Sequence, residues 1–346
     1  MPCGGVTVFT GDNAQGKTNI LEAVYLCCTG RSHRTTHDRE LIRNGEEAAY
    51  VHVSGTRRDG PHDVEIALTR TDKRRVKVGG SPVSRSGELL GHITGVLFAP
   101  EDLRVVQDGP AERRRFADME LSQLRPAYYY ALQRYNRALK QRNALLRDCA
   151  VSGKHPDTLE LWDEQLAESG GVIMAMRADF IGRLAEYAAE IHGSVADHRE
   201  KLGVFYKPDV AYEGEGIRDR LLEALLRTRD TDLKRLTTGA GPHRDDVLVT
   251  LDGLDARVYG SQGQVRTCAL SMKLSEIEIM KRESGEAPVL MLDDVMSELD
   301  PGRRRLLIGR LEGVQTLVTC TDKEDLAGAD IGRMYRVSNA VLTQTE

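Results

Sequence analysis

The segment Gly11 to Thr18, GDNAQGKT, has the form G-x-x-x-x-G-K-[ST], and its flanks constrain the fold as much as the motif does. The apolar run GVTVF leads into it, and NILEAVYLCCTG, an amphipathic stretch stopped by Gly30, follows it. That order is strand, glycine loop, helix, and it predicts a phosphate site at a helix N-terminus. Gly11, Asp12, Asn13, Ala14, Gln15 and Gly16 supply the loop whose backbone N–H groups wrap phosphates, and Asn19 continues into the helix. Lys17 neutralises the β and γ oxygens, and the Thr18 hydroxyl ligates magnesium.

A second element stands far downstream. VLML followed by Asp293 and Asp294 reads as a buried strand delivering two carboxylates at its carboxyl end, where a parallel sheet places them beside the phosphate loop. Asp293 is expected to hold the magnesium, and Asp294 to polarise the attacking water. Lys17, Asp293 and Asp294 are thus the expected catalytic set. The sequence Asp322-Lys323-Glu324-Asp325 imitates a guanine-reading N/T-K-x-D element, but its first residue is Asp and no D-x-x-G follows the Asp293 strand. A solvated turn is the expected structure there.

Between these elements the pattern changes. From about residue 111 it becomes helical, with Leu132, Tyr135, Leu139, Leu146 and Cys149 on one stripe after Pro126. Leu166, Ile173, Phe180 and Tyr187 then recur every seven residues, the spacing by which two antiparallel helices bury a common seam. The polar stretch VSGKHPD is the expected loop between them. Residues 111–150 carry nine Lys or Arg against four Asp or Glu, and residues 151–200 four against ten, so one arm is basic and the other acidic. Strand vocabulary returns after about residue 238. The predicted fold is α/β, a P-loop NTPase head of ABC-type ATPase form (residues 1–110 and 238–346) split by an inserted helical antiparallel arm domain (residues 111–237).

Composition narrows the function classes. With 48 Lys plus Arg against 53 Asp plus Glu, the net charge of −5 requires any nucleic-acid contact to rest on a local basic face. No apolar run approaches the roughly 20 residues that span a bilayer, and the N-terminus lacks the form of a signal peptide, so a cytoplasmic protein with no membrane partner is expected. The six cysteines form no C-x-x-C pair and are expected to be reduced structural thiols.

Tyr259-Gly260-Ser261-Gln262-Gly263-Gln264 opens a long helical stretch about thirty residues before the paired aspartates. Ser-x-Gly-Gln at a helix start aims a hydroxyl, amides and the positive dipole end at an anion. Together, GDNAQGKTNILEAV, GRSHRT, FAPEDL, GPHRDD, YGSQGQ and MLDDVMSELD resemble the RecF family of recombination and repair proteins, relatives of the SMC-type ABC ATPases, nearly end to end. The resemblance implies that Lys17 and Thr18 contact phosphate and magnesium, that Asp293 and Asp294 are the Walker B pair, and that Ser261, Gln262, Gly263 and Gln264 form a signature acting in trans. It also implies that Ser297 to Asp300 crosses a dimer interface. The implied cofactors are ATP and Mg2+. The implied role is that of an ATP-dependent homodimer, a slow DNA-stimulated ATPase used as a switch, which binds double-stranded DNA near single-strand gaps. With RecO and RecR as partners it would help load RecA in DNA repair, replication restart and the SOS response. RecF-like chains carry an extra strand and an Asn-Phe-Arg segment, about twenty-five residues, ahead of the phosphate-loop strand. Their absence here implies an unpaired edge and an uncovered apolar face.

Two basic sets are candidates for DNA: Arg70, Lys73, Arg74, Arg75 and Lys77 around a hairpin, and Arg113, Arg114, Arg115, Arg137, Lys140 and Arg147 on the basic arm. Each also reads as an ordinary solvated face, and together they are expected to line a DNA channel. His243, Arg244, Asp245 and Asp246 in GPHRDD read either as a helix-to-strand turn with an internal salt bridge or as a link between arm and ATP site. Glu101 and Asp102 in FAPEDL have no assigned role. The alternatives are ATPase subunits or NTP-dependent enzymes unrelated to DNA. A transporter subunit would carry Leu-Ser-Gly-Gly-Gln, a small-molecule kinase or GTPase would lack the Ser261 signature, and a chromosome-organising SMC protein needs a far longer coiled coil.

Overall fold

The computed structural model describes residues 5–152, 158–196, 199–212, 214 and 216–345. Most of the expected interhelical loop, residues 153–157, and Cys3 lie outside the described residues. The chain divides into two compact units: residues 1–103, 191–199 and 266–346 form the first, and residues 104–190 and 200–265 the second.

The first unit is built on a six-stranded sheet. Its strands are β1 (Val6–Thr10), β6 (Gly95–Phe98), β10 (Val289–Asp293), β11 (Thr316–Cys320), β12 (Ile331–Ser338) and β13 (Val341–Thr345), in the order β13-β12-β1-β11-β10-β6. All neighbours run parallel except β13, which returns antiparallel along β12. β1 is therefore interior, paired on both sides, and its burial fits the apolar run that forms it. A second, antiparallel sheet comprises β2 (Ala48–Arg57), β3 (Gly60–Thr69), β4 (Arg75–Val78) and β5 (Ser81–Val83), with β2 at one edge.

Helix α1 (Lys17–Thr29) packs against strands of both sheets and buries Leu21, Leu26, Cys27 and Cys28. It ends where Gly30, at φ 69°, donates its N–H to Leu26 O. Close approach is possible because Gly95 has no side chain: a Cβ there would stand 2.7 Å from Met291 Cε and 2.8 Å from Cys28 Sγ. The five described cysteines are all buried. Burial pushes the Cys27 thiol up to about 12. Helix α9 (Pro301–Gly309) completes this unit, together with the later part of the long helix α8 (Gln262–Ser284).

The second unit holds α2 (Arg104–Gln107), α3 (Pro110–Leu124), α4 (Pro126–Ser152), the greater part of α5 (Leu159–Val195), and α6 (Ile217–Arg235). It also holds β7 (Leu202–Lys207), β8 (Asp246–Leu251), β9 (Leu254–Asp255) and α7 (Ala256–Tyr259). Helices α4 and α5 are antiparallel: Arg142 meets Asp163, Tyr128 meets Arg177 and Arg125 meets Asp179, so one index falls as the other rises. Tyr135, Leu146, Leu166, Ile173 and Phe180 are buried along these helices.

The unit boundaries differ from those expected. Residues 238–265 group with the helical unit because β8 pairs along its length with β7, and residues 191–199 group with the sheet unit. Pairing of strands distant in sequence decides this. Apolar patterning shows that β8 is a strand and cannot show with which strand it pairs.

Candidate functional site

The phosphate loop takes the form its glycines allow. Gly11 sits at φ 151° and Gly16 at φ 101°, and Gly16 is the N-cap of α1, so the loop closes over the helix start with its amides unclaimed by side-chain caps. Lys17 is buried to 7% exposure, and its Nζ donates to Gly11 O at 2.5 Å and Asp12 O at 3.3 Å. The ammonium is thus held over the loop, at the place where β and γ oxygens belong.

Strand β10 delivers Asp293 as expected. Its Oδ1 accepts from Thr18 Oγ1 at 3.0 Å and from Thr319 Oγ1 at 2.7 Å, and Asp294 N–H donates to Thr319 Oγ1 at 2.9 Å. Thr319 lies at the carboxyl end of β11, between β1 and β10, and ties the two motif strands together. The sequence reading did not single it out. A Thr hydroxyl and a carboxylate converging beside a lysine form a hard oxygen donor set that suits Mg2+. Asp294 occupies a left-handed backbone conformation, φ 53°, and its Oδ1 is buried without a hydrogen-bond partner among the described residues. For a non-glycine residue that is a strained position, of the kind that persists at functional sites.

Asn13 to Asn19, Arg34, Asp293, Asp294 and Thr319 line a cleft of about 290 Å³. Arg34 is the cation that motif reading passed over. Ser32 Oγ donates to Glu22 and accepts the N–H groups of Arg34 and Thr35, which fixes the GRSHRT segment. Arg34 Nη1 then reaches Asn19 Oδ1 at 3.3 Å and Glu22 Oε2 at 3.4 Å, with half of its side chain exposed. Beside it, burial pulls His33 below the usual imidazole range, opposed by Glu22 and Asp293.

Ser261 begins α8 as a capping box. Its Oγ accepts Gln264 N–H at 3.3 Å, Gln264 Oε1 accepts Ser261 N–H at 2.8 Å, and Gln264 Nε2 donates to Glu200 at 2.8 Å. Gln262 and Gly263 occupy the first turn of the helix. After β10, Ser297 Oγ donates to Asp294 O, and Asp300 caps α9 by accepting from Gly302 and Arg303 N–H. Asp322 caps the turn Lys323–Leu326, the solvated turn expected there. Asp102 accepts Ala99 N–H at 2.7 Å, and burial raises its carboxyl above the usual range, with Lys273 opposing.

The basic residues separate by what they touch. Arg113 is 6% exposed and bidentate to Asp246, and so braces α3 against β8. Arg114 donates to Asp245 O, Arg74 is bidentate to Asp38, and Arg70 donates to Glu46 O and Arg43 O. Lys77 pairs with Glu65 and Arg115 with Glu112. Lys73 and Arg75 in the first unit, and Arg137, Lys140 and Arg147 in the second, remain exposed.

GPHRDD forms a turn leading into β8, but its ion pairs reach outside it: Asp245 to Arg177, Asp246 to Arg113 and Arg244 to Asp209. Asp245 accepts from Arg177, from Tyr206 Oη and from Asp209 N–H, and His243 Nδ1 bonds Tyr135 Oη at 2.6 Å.

Known proteins resemble this chain in sequence and fold. A family described as AAA domain matches residues 2–154. The DNA replication and repair protein RecF of Alkaliphilus oremlandii is 45% identical over 325 residues, which cover 93% of this chain and 88% of that one. The protein of the same description from Acetivibrio thermocellus is 44% identical over 331 residues, covering 94% and 90%. A solved structure of the recombination mediator protein RecF with ATP, in the RecFOR pathway, superposes with a TM-score of 0.92 at 37% identity and covers 99% of this chain and 92% of that one. An SMC head bound to the C-winged helix domain of ScpA, at TM-score 0.56 and 15% identity, shares the fold alone.

Proposed function

The chain belongs to the RecF family of DNA replication and repair proteins, and from that premise we propose that it is an ATP-gated recombination mediator whose nucleotide site closes on a second copy. The observation that carries the reading is the junction of Thr18, Asp293 and Thr319 beside Lys17, which joins both ends of the chain into one phosphate site.

Lys17 exchanges its two loop carbonyls for phosphate oxygens and neutralises them. Thr18 and Asp293 hold Mg2+, which when bound supplies charge neutralisation across the phosphates. Asp294, with one enclosed oxygen unpartnered among the described residues, orients water for attack on the γ-phosphorus and takes its proton, as the bond to the β-phosphate oxygen breaks and ADP departs. Arg34 adds positive charge at the rim of the cleft.

Ser261, Gln262, Gly263 and Gln264 of one copy complete the site around Lys17 of the other, and Ser297 to Asp300 lie along that interface. ATP then favours the dimer and hydrolysis releases it, a two-state switch with slow, DNA-stimulated turnover. Double-stranded DNA near gaps is the ligand, with RecO and RecR as partners and RecA loading as the outcome. The exposed cations Lys73, Arg75, Arg137 and Lys140 are the candidate phosphate contacts. No helix among the described residues is long and apolar enough to cross a membrane.

The test is fluorescence anisotropy of a labelled gapped duplex at fixed salt, with ATP and magnesium and then with ADP. Binding in ATP alone supports the gated clamp; equal binding with both nucleotides overturns the gating.

A further inference from the structure

The hairpin β12–β13 closes on the phosphate loop. β12 runs beside β1, with Phe9 and Tyr335 stacked at 5.8 Å, and where β1 ends, a Cβ on Gly11 would stand 2.3 Å from Val337 O. The two strands are joined by a two-residue turn, since Ser338 pairs with Val341, and both turn residues have positive φ, Asn339 at 51° and Ala340 at 61°. The two N–H groups of the turn are spent on one residue of the loop. Asn339 N–H donates to Gln15 Oε1 at 2.7 Å, and Ala340 N–H donates to Gln15 O at 3.2 Å.

The same turn lines a second, larger cleft. Asn339 and Ala340 stand on its wall with Gln15, Gly16 and Asn19, and the cleft measures about 770 Å³. Ala14, Gln15, Gly16, Asn19 and Arg34 line both this cleft and the smaller one holding Asp293, so the two are continuous past the loop. Its far wall includes the apolar side chains Ile42, Val51 and Leu68. The larger cleft thus offers room for a base to a nucleotide whose phosphates lie on the loop.

We infer that Asn339 is a specificity-determining residue of the nucleotide site, its carboxamide selecting adenine over guanine. A carboxamide carries a donor and an acceptor side by side, which matches the N6 donor and N7 acceptor of adenine. On that same edge guanine offers two acceptors, O6 and N7, and so leaves the carboxamide oxygen facing another acceptor. Gln15 is the positioning residue of the pair, because it fixes the turn against the loop. The inference rests on the nucleotide reading of the phosphate loop.

The test compares dissociation constants for ATP and GTP, each with magnesium, by competition against a fluorescent ATP analogue. Asn339→Gly suits both the positive φ and the two N–H donors, so it removes the carboxamide and keeps the turn, which an unchanged melting temperature verifies. The wild-type protein prefers ATP, and Asn339→Gly weakens ATP by about tenfold, the worth of a well-placed hydrogen bond, while leaving GTP unchanged. Gln15→Ala removes one of the two bonds that hold the turn and so lowers the ATP-to-GTP ratio in the same direction, by less than Asn339→Gly. An unaltered ATP-to-GTP ratio in a folded Asn339→Gly protein, or a wild type that binds the two alike, overturns the inference. A wild type that binds neither nucleotide sinks the nucleotide reading itself.

Discussion

Thr18 Oγ1 lies 3.0 Å from Asp293 Oδ1, although 275 positions separate the two residues in the chain. The contact forms because β1 and β10 flank β11 in one parallel sheet and end at the same edge, so that Thr319 can bridge them. The fold thereby brings together the two oxygens that the proposed magnesium site requires.

Removing one member separates binding from chemistry. Thr18→Ala should abolish the magnesium dependence of ATP binding, read by titration with and without EDTA. Asp294→Asn should keep ATP binding and slow phosphate release by at least about a hundredfold, the usual worth of a positioned base. Equal hydrolysis by Asp294→Asn and wild type would remove Asp294 from the mechanism.

The helical unit rests on a fully buried cation. Arg142 is bonded to Asp163 at 2.6 Å, Asp232 at 2.7 Å and Thr238 at 2.9 Å. Arg142→Ala removes the cation shared by two buried carboxylates, leaving Asp163 to Arg229 and Asp232 to the Gly239 N–H, and should cost about 3–5 kcal/mol, measured by urea denaturation. A loss below about 1 kcal/mol would mean that water reaches the cluster and screens it.

Packing between α1 and β6 sets another limit. Gly95→Ala places a methyl group against Met291 and Cys28, and should destabilise by about 1–3 kcal/mol through overpacking. Pairing it with Met291→Ala should recover part of that loss in the same denaturation series.

Stability should fall on mild acidification. Burial holds both His33 and His243 below the ordinary imidazole value; at His243, Arg244 and Arg114 act in the same direction, while a hydrogen bond to Thr238 and the charge of Asp209 oppose it. A depressed folded value means stability that is present above about pH 6.5, the unfolded value, and is lost as pH falls toward the folded value. Melting temperatures between pH 7.5 and 5 should therefore decline, and His243→Gln should flatten the slope.

Charge reversal sorts the DNA candidates. Lys73→Glu with Arg75→Glu, and separately Arg137→Glu with Lys140→Glu, should each weaken gapped-duplex binding and lower its salt slope by about two phosphate contacts. Arg113→Gln should instead show as lost stability, because Arg113 is committed to Asp246. A pair whose reversal leaves the salt slope unchanged is a solvated face.

The phosphate loop, the Asp293 strand and the antiparallel helices could be read from the chain because each is a local pattern: glycine spacing, an apolar run ending in acids, a seven-residue period. Backbone sterics and burial act on neighbours in sequence, and those signals survive without coordinates. Tertiary structure decided the rest. It paired β7 with β8 and so moved residues 238–265 into the helical unit, and it placed Thr319, Arg34 and Asn339 around the nucleotide clefts. It also consumed Arg113 in a buried ion pair while leaving Arg137 exposed, although both stand in the same basic stretch. Strand partners, and the burial of a given charge, depend on which distant segments meet, and no local pattern encodes that meeting.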